Sequence, residues 1–161
     1  MNKPYCKILI SSCFLGNKVR YDGQAKVINH PVIALWQQQN RLVPVCPEVS
    51  GGLSVPRSPA EIQGETGKVL TCDGKDVTRA FLQGAEHALA VCRNHNIQFA
   101  LLKESSPSCG SQLIYDGTFS GRKINGQGVC SQVLSANGIA VYSEVSIEKL
   151  IAVIAHQDSL T

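Results

Sequence analysis

Lys7-Ile8-Leu9-Ile10-Ser11-Ser12-Cys13 is a short apolar run that ends abruptly in two hydroxyls and a thiol. Three large aliphatic residues in succession, without polar alternation, predict a strand covered on both faces over residues 7–12. Such a strand delivers Cys13 to its end. Three later segments read the same way. Arg41 to Val45 is a second short strand running into Cys46, and Ile97 to Lys103 is a third. The third opens into a polar loop, Glu104 to Gly110, that carries Cys109. Ile139 to Tyr142 is a fourth.

Helical patterns separate these strands. Pro31 suits a first helical turn, and Val32, Ile33, Leu35 and Trp36 supply a partly helical apolar face up to Gln39. Asp76 is placed to cap a longer helix in which Val77, Phe81, Ala85, Ala88, Leu89 and Cys92 follow the 3.6-residue period to His95. Gly128 to Ala136 is helical and stops at Asn137-Gly138, and Ile147, Leu150, Ile151 and Ile154 mark the last amphipathic helix. Residues 47–75, rich in Pro and Gly, are expected as loop, with a hairpin from Glu61 to Thr71. A second hairpin is expected around Tyr115-Asp116-Gly117. Strands alternating with helices predict an α/β fold: a Rossmann-like, doubly wound, mostly parallel sheet. All 161 residues are assigned to one domain, with residues 47–75 as its loop or hairpin excursion.

Composition narrows the classes. Hydrophobic residues make up 43% and charged residues 17%, enough apolar material for a packed core and too little charge for disorder. The net charge of +3 and the absence of a basic stripe admit an anionic small molecule and argue against long nucleic acid as a partner. No stretch approaches the ~20 apolar residues of a membrane span, and no signal peptide is recognisable, so the cytoplasm is the expected compartment. Seven cysteines form an odd set that does not suit a disulfide framework. Some are expected to be ligands or catalytic groups, and the rest buried small hydrophobes.

In open parallel sheets ligands lie beyond the carboxyl ends of the strands. Cys13, Cys46 and Cys109 all fall there, each flanked by Ser, Pro or Gly. None belongs to a Cys-x-x-Cys pair, which speaks against a zinc ribbon. Three thiolates with an open position suit a [4Fe–4S] cluster with one free iron; a three-thiolate zinc site or three unrelated thiols remain open on spacing alone. Glu48 follows Cys46 by two residues, and Lys103, Glu104, Ser105 and Ser106 precede Cys109. A carboxylate there can activate water, and a hydroxyl or ammonium can relay a proton, although such groups also bond their own loops. Gly126-Gln127-Gly128 lacks a dinucleotide fingerprint and reads as turn chemistry. The four histidines lie in or beside helices and receive no role. Arg20, Arg57 or Lys123 could hold a phosphate if the ligand is a nucleotide, and nothing in the sequence chooses among them.

Ordered blocks then carry a resemblance. They are Ser12-Cys13-Phe14-Leu15-Gly16 with Arg20-Tyr21-Asp22-Gly23; Pro44-Val45-Cys46-Pro47-Glu48-Val49 with Gly51-Gly52-Leu53 and Pro56-Arg57; and Leu102-Lys103 with Ser106-Pro107-Ser108-Cys109-Gly110 and Tyr115-Asp116-Gly117-Thr118-Phe119. Together with Asp76-Val77-Thr78, Gly84-Ala85, Gly126-x-Gly128-Val129 and Gly138-Ile139, this pattern resembles the thiouracil desulfidase family from about Lys7 to Glu144. The resemblance implies a Rossmann-like domain holding a [4Fe–4S] cluster on Cys13, Cys46 and Cys109, with the fourth iron open to the sulfur of a thiolated uracil. It implies an acid/base carboxylate at Glu48 and a proton-relaying hydroxyl at Ser105, with Lys103 assisting. One position departs: family members often carry a cysteine where this chain has Val19. The implied reaction replaces C=S by C=O, releases sulfide, and requires no redox partner. Two rival readings are a cluster-free sulfurtransferase passing a persulfide through Cys109, and a non-catalytic nucleotide-binding or metal-sensing module.

Overall fold

Ile8, Leu9 and Ile10 have no solvent exposure at all, as a doubly covered strand requires. The structure, a computed structural model, describes residues 5–160. Strand β1 (Ile8–Ser11) lies inside a four-stranded parallel sheet. Its neighbours are β2 (Leu42–Val45) on one side and β5 (Phe99–Leu102) on the other, and β8 (Ala140–Ser143) closes the far edge. The order β2-β1-β5-β8 is that of a doubly wound sheet.

Alternation along the strands divides the core in two. Ile8, Ile10, Phe99 and Leu101 face the layer made by α1 (Pro31–Gln38) and α5 (Ile147–Ser159), where Ile33, Trp36, Leu150 and Ile154 meet them. Leu9, Val45, Ala100 and Leu102 face α3 (Thr78–Asn94) and α4 (Val129–Ala136), packing on Ala85, Ala88, Cys92 and Leu134. Truncating Leu101 or Leu134 to Ala would cost roughly 2–5 kcal/mol, the usual range for a filled core position.

Local chemistry sets the helix ends. Pro31 opens α1, and the His30 ring accepts the Val32 amide at 3.1 Å. Asn137 ends α4, and Gly138 follows at φ 83°, a backbone that favours glycine. Asp76 departs from expectation. The N-cap of α3 is Val77, and Asp76 instead binds the Thr78 amide and hydroxyl one residue early. Both expected hairpins form: β3 (Ala60–Ile62) with β4 (Val69–Thr71), and β6 (Leu113–Tyr115) with β7 (Lys123–Asn125). Residues 47–75 are not all loop and hairpin, because Pro47–Ser50 forms a short helix, α2, directly after β2.

At the amino ends of the strands, buried Arg41 binds both carboxylate oxygens of Asp158, tying the approach to β2 to the end of α5. Among the described residues no helix is long and apolar enough to cross a membrane.

Candidate metal centre

β2, β1 and β5 are adjacent and parallel, so their carboxyl ends form one ledge. β1 runs straight into a 3-10 turn, Ser12–Leu15, that buries Cys13. β2 runs straight into α2, whose N-cap is Cys46. Beyond β5 the loop through Ser105 and Ser106 brings in Cys109, also buried. All three thiols line one cavity of about 620 Å³. Burial pushes the Cys13 thiol up to about 11, with the neighbouring Cys46 adding to the effect and Arg20 and Lys103 opposing it. Burial likewise raises Cys46, and raises Cys109 well above its ordinary value, where Cys130, Glu48 and Cys46 add to it. A metal that binds these sulfurs must therefore displace protons.

The other cysteines differ from expectation in part. Cys92 and Cys130 are buried, as small hydrophobes should be, but Cys6 is half-buried and Cys72 is exposed.

Glu48 sits in the first turn of α2 and lines the same cavity. It is held by Arg57: Nε donates to Oε2 at 2.8 Å, and Nη2 donates to the same oxygen. Arg57, named above as a candidate phosphate holder, is thus committed to a carboxylate. The other two candidates, Arg20 and Lys123, lie on the cavity wall beside Tyr21 and Tyr115, and Lys75 joins them there.

The 103–113 loop is built around Glu104. Its Oε1 accepts the amides of Ser105, Ser111, Gln112 and Leu113, and its Oε2 accepts the Ser111 hydroxyl. Burial alone would raise its pKa, but the bonds from Ser111, Gln112, Leu113 and Ser143 overcome this and hold the carboxyl at about 2. Glu104 is therefore an organising residue of the loop. Its hub role was hidden in the sequence because its partners follow it by up to nine residues.

Ser105 is buried at φ 67°, a left-handed conformation that costs a non-glycine residue energy and often marks functional sites. It lines the cavity with Lys103, whose ammonium lies 3.2 Å from Glu144 and bonds the Glu104 carbonyl. The Ser106 hydroxyl accepts the amides of Ser108 and Cys109, so it shapes the turn that presents the thiol. Gly128 closes the turn from behind, because a Cβ there would stand 2.5 Å from the Ser108 carbonyl. The close approach of these two backbones accounts for Gly128, and a Cβ on Gly126 would stand 2.9 Å from the Ile114 side chain, so both glycines have packing reasons of their own. The Ser108 hydroxyl is buried without a well-formed hydrogen bond among the described residues. It is close enough to Cys109 to draw that thiol's pKa down slightly against burial.

Among the described residues no three His, Cys, Asp or Glu side chains are gathered tightly enough to hold a single metal ion. Three thiols around an open cavity, with the buried Ser108 hydroxyl beside Cys109, are a donor set that suits a thiolate-bound iron–sulfur cluster.

The chain is similar to known proteins over nearly all of its length. An uncharacterized protein of Bacillus subtilis (strain 168), YbbK, is 41% identical over 152 residues, spanning 89% of this chain and 99% of its own. A solved structure described as the [4Fe-4S]-dependent thiouracil desulfidase TudS (DUF523Vcz) is 46% identical and superposes with a TM-score of 0.89. That likeness covers 97% of this chain and 99% of the other. A family model described as 2-thiouracil desulfurase matches residues 8–146, and by that match the chain belongs to the 2-thiouracil desulfurase family.

Proposed function

We propose that this protein is an iron–sulfur-dependent desulfidase that converts a thiolated uracil, as base, nucleoside or nucleotide, to the oxo form with release of sulfide. The observation that carries the reading is the convergence of Cys13, Cys46, Cys109, Glu48, Ser105 and Lys103 on one cavity, in a chain of this family. Cys13, Cys46 and Cys109 would hold a [4Fe–4S] cluster by three thiolates. When bound, that cluster supplies an open iron, a soft Lewis acid suited to a thiocarbonyl sulfur.

The chain's own groups do the rest. Glu48, held by Arg57, accepts a proton from the attacking water. Ser105 presents a hydroxyl from a fixed, strained backbone and passes protons to and from the ring. Lys103, steadied by Glu144, lies near Cys13 and offsets negative charge on that side. The cavity is large enough for one pyrimidine, and Arg20, Lys75 and Lys123 on its wall suit an anionic substrate. Replacing the sulfur by water-derived oxygen leaves oxidation states unchanged, so no redox partner is required. The reducing cytoplasm, where thiolate clusters persist, is the compartment proposed.

The test is spectroscopic. Anaerobic reconstitution with iron and sulfide should give brown protein, and at least one of 2-thiouracil, 4-thiouracil and the thiouridine monophosphates should perturb its thiolate-to-iron absorption while uracil and uridylate do not. Protein that takes up no iron, or whose absorption ignores all of these thiolated compounds, contradicts the reading.

A further inference from the structure

The geometry points to Arg57 as a positioning residue that fixes the Glu48 carboxylate to take a proton from the attacking water, an inference that rests on the function proposed above. Two guanidinium nitrogens, Nε and Nη2, donate to a single carboxylate oxygen, Oε2. Oε1 accepts no hydrogen bond among the described residues, in a side chain that lines the cavity. The clamp is therefore one-sided: one oxygen anchors the side chain and the other is left for water.

The clamp is itself rigid. Arg57 Nη1 donates to the Ser54 carbonyl at 3.1 Å, and the Arg57 amide donates to the Tyr21 carbonyl at 2.8 Å. The Glu48 end is fixed by α2, whose closing bonds run from Ser50 to Cys46 and from Gly51 to Pro47. Arg57 and Glu48 side chains are only 10% and 13% exposed. A partly buried Arg–carboxylate pair of this kind keeps its geometry where an exposed one would not. A glutamate without such a partner would sample several rotamers, and a general base must stay within hydrogen-bond reach of the proton it takes.

Two other roles for Arg57 make different demands. A substrate-anion holder needs a guanidinium fork that is free to face the substrate, whereas three of the five N–H donors of Arg57, one on each nitrogen, are given to protein oxygens. A simple staple of the 54–57 loop would affect folding and cluster retention without depending on Glu48.

A double-mutant cycle separates them. Wild type, Arg57→Ala, Arg57→Lys, Glu48→Gln and the Glu48→Gln/Arg57→Ala double variant are compared as anaerobically reconstituted holoenzymes. Arg57→Ala should keep its iron and its KM within about threefold while kcat falls at least ~10-fold, the pattern of a misplaced base. Arg57→Lys, which keeps one charged donor, should recover part of the loss. In the Glu48→Gln background, removing Arg57 should change kcat by less than about twofold, since no base is left to position. A full second loss in the double variant overturns the inference, and so does a raised KM with unchanged kcat. If Arg57→Ala fails to fold, Arg57→Lys decides by the same KM and kcat criteria.

A crystal structure of an Arg57 variant gives a second readout that does not depend on turnover. The Glu48 carboxylate should leave its present position, and a carboxylate that stays in place contradicts the clamp. Wild type inactive on every thiouracil would instead count against the proposed function, and the crystallographic result would still judge the clamp.

Discussion

Gly84 in the middle of α3 abuts the carbonyl of Pro47: a Cβ at Gly84 would lie 1.8 Å from that oxygen and 2.5 Å from its carbon. The contact is reciprocated one turn away, where a Cβ on Gly51 would lie 1.9 Å from the Ala80 carbonyl. Helix α2 is therefore seated on α3 by backbone against backbone, and with it Cys46 at its N-cap and Glu48 in its first turn.

Gly84→Ala should consequently displace α2 as well as strain α3. The expected cost is about 1–3 kcal/mol or more, as for overpacking a rigid contact. Urea unfolding should show it, together with weaker iron retention than in wild type. Unchanged stability and iron would mean that α2 is not held by this contact.

Glu104→Gln should loosen the 104–113 loop by leaving four amides with a weaker acceptor, at a cost of about 1–3 kcal/mol. The pH dependence has a definite sign. The folded carboxyl titrates at about 2, below its ordinary 4.5, so its contribution is complete above pH 4.5 and is lost as pH falls toward 2. The stability gap between wild type and Glu104→Gln should be constant near neutrality and shrink over that acidic window. A gap that widens on acidification would contradict the role.

Much of this arrangement was legible in the sequence, because the four strands are short unbroken apolar runs and the periodic helix faces are well marked. The placement of Cys13, Cys46 and Cys109 followed from strand ends, which topology brings together. The Asp76 cap was misplaced by one residue, since an Asp two positions before a Thr can satisfy the same amide from outside the helix. Helix α2 has no periodic signal, because its four residues open on Pro47 and run at once into Gly51. Arg57 on Glu48, Glu104 under its loop and the left-handed backbone at Ser105 are tertiary facts, and no local pattern announces them.

Ser105 separates backbone from hydroxyl. Ser105→Ala loses only the hydroxyl and keeps the strain, whereas Ser105→Gly loses the whole side chain and accepts φ 67° without steric strain. Both variants should bind normal iron and turn over ~100-fold more slowly, and Ser105→Gly should melt no lower than wild type. Near-normal turnover in Ser105→Gly would remove the hydroxyl from the chemistry.

Cys13, Cys46 and Cys109 should be the only ligands. With each of the seven cysteines replaced by Ser, bound iron after anaerobic reconstitution should collapse in those three variants and persist in the Cys6, Cys72, Cys92 and Cys130 variants. Cys130 is the informative control, since it is buried and close enough to Cys109 to raise that thiol's pKa. Loss of iron in a folded Cys130→Ser protein would require a different ligand set.

The central claim is that the cavity shared by these cysteines and Glu48 exchanges sulfur for oxygen on a uracil ring. The most direct measurement is anaerobic incubation of holo-protein with 2-thiouracil, 4-thiouracil and the thiouridine monophosphates, following the oxo product and sulfide together. The account predicts equal amounts of both from at least one of them, and at least ~100-fold slower release by iron-replete Glu48→Gln. Intact holo-protein that releases neither product from any of these substrates would contradict it.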